Sequence, residues 1–156
     1  MIAFKLIGAG CVVLAGAAAG FSKADKARRR VAVLRNLEQL MARILGEILY
    51  RGTSIPDLLI ELKEEQFCPG LGLEKCSELR SYQLPDLLSS SEKQQLQGFF
   101  TGLGRSTTEE SSQEGLYYQK ICAQLLENAQ HEAATAEELY TKLGLCCGAL
   151  TALLLF

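Results

Sequence analysis

The sequence predicts an all-α membrane protein with N- and C-terminal transmembrane helices and a small cytoplasmic helical bundle between them. Three observations predict it. Residues 6–22 form a run of 17 uncharged residues closed by Lys23, Lys26, Arg28, Arg29 and Arg30. Residues 143–156 form a second uncharged run. Between them apolar residues recur at helical spacing, and no apolar/polar alternation is long enough to propose a sheet. The implied division is a membrane helix over residues 1–22, a helical domain over residues 23–141 and a second membrane helix over residues 142–156.

At about 1.5 Å per residue the first run covers roughly 26 Å, and extension through residues 2–4, with Lys5 snorkelling, brings it to about 30 Å, the thickness of a hydrocarbon core. The second run covers roughly 21 Å on the same rise, so it must draw on residues 140–142, thin the bilayer or lean on the first segment. Basic residues on one flank of the first run resist translocation, which keeps the middle of the chain in the cytoplasm and places both termini across the bilayer. The rival is a secretory signal peptide cleaved at Ala17-Ala18-Ala19, which would release a secreted helical binding module. Against it, Lys5 is the only N-terminal charged side chain while five basic residues follow the cleavage point. A lipoprotein anchored at Cys11 is disfavoured because Gly8 stands where a large aliphatic residue is expected.

From Ala27 onward Leu34, Leu37, Met41, Ile44 and Ile48 follow a seven-residue pattern, widened by Leu45 and Leu49, and predict one long helix ending near Arg51-Gly52 with the glycine as left-handed cap. Thr53 or Ser54 opens a second helix, with Pro56 in its first turn, Asp57 near its positive end and Leu58, Leu59 and Leu62 on its apolar side. Cys68-Pro69-Gly70 breaks it, and residues 72–82 make at most a short helix before Pro85. Ser89-x-x-Glu92 is a capping box for a helix through Leu96, Phe99 and Phe100, closed by Gly102 and Gly104. Thr107-x-x-Glu110 is a second box, opening the longest helix, whose stripe runs through Tyr118, Ile121, Cys122, Leu125, Ala129, Ala133, Ala136, Leu139, Tyr140 and Leu143. The first and last long helices are expected to lie antiparallel.

Charge is uneven along the chain. Residues 23–51 carry eight basic and three acidic side chains, whereas residues 52–141 carry six basic and 15 acidic. The acidic last helix is therefore a candidate to face the basic first one. Six cysteines offer no C-x-x-C pair, and three of them (Cys11, Cys146, Cys147) lie in the apolar ends, so a reducing cytoplasm explains them better than a disulfide framework.

No catalytic, cofactor-binding or metal-binding residues are proposed. A single histidine, His131, flanked by Glu127 and Glu132, reads as a surface position, and Cys68, Cys76 and Cys122 lack zinc-finger spacing. Gly102-Leu103-Gly104-Arg105-Ser106-Thr107 imitates the end of a phosphate-binding loop, but an arginine replaces the lysine, Phe99 stands at the first glycine and a helix precedes it. Adjacent carboxylates such as Glu64-Glu65 fall on different helix faces. Neither nucleic acid nor a small-molecule substrate is indicated. Within the apolar runs Gly16 and Gly20, and Gly144, Gly148 and Ala152, form small-residue stripes that suit close helix pairing within one molecule or in a homo-oligomer.

The order of Gly20-Phe21, a basic helix, Leu45-x-Glu47-Ile48-x-Tyr50-x-x-Thr53-x-x-Pro56, Phe99-Phe100-Thr101-Gly102-Leu103-Gly104, and Tyr140-x-x-Leu143-Gly144 before an apolar tail resembles the stage III sporulation protein AB family. The resemblance implies a component of the channel complex between mother cell and forespore in endospore formation, in the mother-cell membrane around the forespore. It further implies a non-catalytic, secretion-type platform with partners that include a secretion-type ATPase, the role suggested for the neighbouring protein AA of that assembly.

Overall fold

A computed structural model describes the backbone of residues 2–104 and 108–155 and the side chains of residues 22–104, 112–140, 142, 143 and 146. Among the described residues four α-helices carry the fold: α1 (Ile2–Gly46), α2 (Ile55–Glu64), α3 (Ser90–Gly102) and α4 (Thr108–Leu155). Among the described residues there is no strand, as the absence of alternation predicts. Two compact units are present, residues 1–29 with 129–156 and residues 30–128.

In the unit of residues 30–128 the predicted stripe of α1 is the core, because Leu34, Leu37, Met41 and Ile44 are fully buried, joined by Leu40 from the adjoining position. The helix does not stop at Gly46 but widens into a π-helical turn, Glu47–Arg51, closed by Gly52 at φ 62°. Ser54 then caps α2 by accepting from the Asp57 amide, with Pro56 in the first turn. Leu58, Leu59 and Leu62 are buried, as their spacing predicts.

Residues 72–82 form two single 3₁₀ turns, Leu73–Lys75 and Leu79–Ser81. Leu79 and Tyr82 face the core, and the Tyr82 hydroxyl donates to the Leu71 carbonyl at 2.7 Å. The capping box of α3 is complete: the Ser89 hydroxyl accepts from the Glu92 amide, and the Glu92 carboxylate accepts from the Ser89 amide at 2.7 Å. Phe100 is fully buried between Tyr82 and Phe99, at ring separations of 4.8 and 5.2 Å.

The α4 portion of this unit runs antiparallel to α1, since Gly115 meets Leu45 and the Cys122 thiol reaches the Leu34 carbonyl. Burial pushes the Cys122 thiol up to about 12. The expected Thr107 capping box lies outside the described residues.

In the unit of residues 1–29 and 129–156, Arg28 pairs with Glu137 at 2.6 Å and Arg29 with Asp25 at 2.8 Å. Among the described residues no helix is long and apolar enough to cross a membrane. The apolar runs of residues 6–22 and 143–156 fall almost wholly on side chains outside that set.

Candidate functional site: a cleft where two sequence phrases meet

The two internal phrases singled out in the sequence, Leu45 to Pro56 and Phe99 to Gly104, are separated by more than 40 residues and come together in space. Leu45, Ile48, Leu49, Thr53, Ser54 and Ile55 from the first and Phe99, Gly102, Leu103 and Gly104 from the second line a cleft of about 300 Å³, completed by Glu114, Gly115 and Tyr118 of α4. Apolar side chains dominate its lining.

Each wall is fixed by a specific contact. The π turn puts an extra residue into one turn of backbone, and its register is held by Glu47, which is only 5% exposed. Arg51 bonds both Glu47 oxygens at 3.1 and 3.2 Å, Arg43 Nε lies 3.3 Å away, and the Thr53 hydroxyl donates at 3.3 Å. The hydrogen bond to Glu47, then its charge, raises the Arg51 guanidinium above its ordinary value. Isolated π turns concentrate at functional sites, and this one turns Ile48 and Leu49 into the cleft while Tyr50 stands 88% exposed beside it.

The α3 wall ends in a clamp. Arg80 donates from Nε to the Leu103 carbonyl at 2.7 Å and from a terminal nitrogen to the Gly104 carbonyl at 3.1 Å, a cation on the negative end of the helix. Gly104 has φ 71°, and a Cβ there would meet Arg80 and Ile55 at 2.7 and 2.8 Å. The phosphate-loop imitation is thus opened by a helix C-terminus with its carbonyls tied to an arginine; Arg105, Ser106 and Thr107 lie outside the described residues.

On the α4 wall, glycines permit two close approaches. A Cβ at Gly98 would sit 2.1 Å from the Tyr118 hydroxyl, and one at Gly115 would sit 2.2 Å from a Leu45 methyl. Burial first, and the Glu114 carboxylate second, raises the Tyr118 phenol.

Elsewhere in the same unit Glu92, 4% exposed, receives Arg30 at 2.6 Å across 62 residues of chain. Burial raises its carboxyl, and the hydrogen bonds from Arg30 and Ser89 outweigh that, leaving it below the ordinary value. Of the basic residues read as a cytoplasmic-side anchor, Lys23, Lys26, Arg28 and Arg29 are exposed, while Arg30 turns to Glu92. The described carboxylate partners of the basic first helix thus include Glu61 of α2, Glu65 just past its end, Glu92 of α3 and its own extension's Glu47, with α4 supplying Glu137. The packing of the small-residue stripes, Gly16 and Gly20 and then Gly144, Gly148 and Ala152, lies outside what is described.

His131 is exposed, with Thr135 at 3.3 Å. Among the described residues no group of three or more His, Cys, Asp or Glu side chains is placed to hold a metal ion. Sequence reasoning named Glu47 only as a member of the family phrase, with no role of its own, and passed over Arg80, Gly98, Glu114 and Gly115. Two of these carried a signal: Glu47 interrupts the apolar face three residues after Ile44, and Gly98 sits inside a helix where it lowers helix propensity.

The family model for stage III sporulation protein AB matches residues 5–73 and 76–156, which include both phrases that build the cleft. No curated protein and no solved structure matches the chain.

Proposed function

The chain belongs to the stage III sporulation protein AB family and acts in stage III of sporulation; from that premise we propose that it is a non-catalytic membrane platform of the channel complex between mother cell and forespore. The terminal helices insert in the membrane, the central domain is cytoplasmic, and that domain holds a secretion-type ATPase against the assembly.

One observation carries this proposal: the family match runs from residue 5 to residue 156, so both apolar end runs lie inside it, which supports treating them as parts of the working protein. The helical unit of residues 30–128 adds support, since among its described residues the two family phrases converge on a cleft walled mainly by apolar side chains, a surface suited to holding a partner.

The test has two arms in sporulating cells. A reporter active only outside the cytoplasm is expected to work when fused after Phe156 and to stay silent when inserted near Gly70; the reverse pattern rejects the topology. The full chain, affinity-purified from solubilised membranes, is expected to bring down the ATPase and to add no hydrolysis of its own when the ATPase carries an inactivating substitution. Failure to recover the ATPase rejects the coupling role.

A further inference from the structure

Granting the scaffold role proposed above, we infer that the cleft between the π turn, α3 and α4 is a docking site for a partner polypeptide, which inserts one aliphatic or aromatic side chain beside a lysine or arginine that pairs with Glu114. At about 300 Å³ the cleft is at the lower end of ligand-pocket volumes, roughly 300–1,000 Å³, which suits one or two inserted side chains better than a large cofactor.

Its apolar surface does not stop at the mouth. Tyr118 lines the cleft and packs edge-on against Tyr117 at a ring separation of 5.5 Å, and Tyr117 and the neighbouring Leu116 are 62% and 60% exposed. Large apolar side chains left in water next to a cavity mark an interaction surface, and tyrosine is enriched at the energetic centres of protein interfaces.

Charge names the occupant. The carboxylates of the Glu47 cluster are neutralised by the chain itself, Glu47 by Arg43 and Arg51 and Glu61 by the same two arginines. Glu114, exposed at the cleft, has no cationic partner among the described residues. A basic group arriving with an apolar anchor satisfies both features, and an acidic one is repelled. The walls are also preset. The Arg80 clamp, the Glu47 cluster and the contacts over Gly98 and Gly115 hold the lining before any partner arrives, which lowers the ordering cost of binding.

The experiment uses the full chain in nanodiscs of phosphatidylcholine, a zwitterionic lipid that does not itself attract basic peptides. The probes are fluorescein-labelled nonapeptides with a central phenylalanine flanked by arginines, the same peptide flanked by glutamates, and the arginine peptide with serine in place of phenylalanine, each read by anisotropy. The arginine–phenylalanine peptide is expected to bind about tenfold more tightly than either other peptide and to weaken as salt rises. Glu114→Lys reverses the preference between the charged flanks, while Glu127→Lys, at an exposed position of the same helix, leaves it unchanged.

Equal binding of the glutamate-flanked or serine peptide, or indifference to Glu114→Lys, overturns the proposal. Recovery of the ATPase by the unaltered chain, undiminished by Glu114→Lys and without a peptide preference, overturns the cleft and leaves the scaffold role standing. The peptide preference without recovery of the ATPase keeps the cleft and rejects the coupling role.

Discussion

Glu47 and Glu92 are buried almost equally, at 5% and 4% exposure, but they are held by different kinds of neighbour. Glu92 closes the first turn of its own helix and also takes an arginine from 62 residues away, one whose side chain is itself only 27% exposed. The carboxylates around Glu47 and its arginines are close in sequence, and Arg51 is 63% exposed. A buried carboxylate whose cation is also shielded ties two distant segments together and leaves a stranded charge when removed. One held partly by a cation that reaches water, as Arg51 does while Arg43 is 35% exposed, shapes a local turn, and its loss lets Arg51 return to solvent. Glu92 is therefore a stability element, and Glu47 sets the shape of the cleft wall.

The largest expected effect tests the first half of that contrast. Glu92→Ala strands Arg30 and removes the capping box, and should lower the unfolding free energy of the full chain in detergent by about 3 kcal/mol, measured by chemical denaturation with far-UV circular dichroism. Glu47→Ala should lower it by about 1–2 kcal/mol. A loss at Glu47 equal to that at Glu92 would break the comparison.

Acid sharpens it. The Glu92 carboxyl lies below its ordinary value of 4.5 in the folded protein, so its stabilisation is fully present above that value and is lost as pH falls through the lower folded-state value. The protein should lose stability on acidification below about 4.5, and Glu92→Gln should flatten that dependence, as read from denaturation midpoints across an acid pH series. An unchanged slope would mean that other carboxylates carry it.

Smaller effects follow at the periphery. Thr53→Ala removes one hydrogen bond to Glu47 and should cost about 0.5–1 kcal/mol, visible as a small shift in the same midpoint. Arg28→Ala, at an exposed pair with Glu137, should leave the midpoint unchanged. A measurable loss there would give surface pairing a weight comparable to the interior.

The contrast also marks how far sequence reading reached. Glu92 was legible because a capping box is a local rule of four residues, and the structure forms it at Ser89. Gly52 was legible for the same reason, and the N-cap was narrowed to Thr53 or Ser54, of which the structure uses Ser54, because a left-handed cap and an N-cap follow from residue type at one or two positions. The arginine that reaches Glu92 was not, because Arg30 sits in a basic run whose members look alike, and only packing selects the one that turns inward. The expectation that α4 would supply the acidic partners of α1 was framed on net charge, and net charge does not specify which carboxylate lies within reach. The cleft was half legible. Both phrases that wall it stood out in the sequence, but the π turn, the Arg80 clamp and the seats at Gly98 and Gly115 depend on segments far apart in the chain.

By itself the sequence determined the helical class, the buried stripe of the first helix, the caps at Gly52 and Ser89, and the family, because each depends on residue type at short spacing or on the order of short phrases along the chain. Tertiary structure decided which glutamate meets which arginine, where the two phrases converge, and which wall of the cleft carries Glu114. Those outcomes are set by close packing between segments tens of residues apart, where a few ångströms of approach, permitted by a glycine or refused by a Cβ, select one arrangement among many with the same composition.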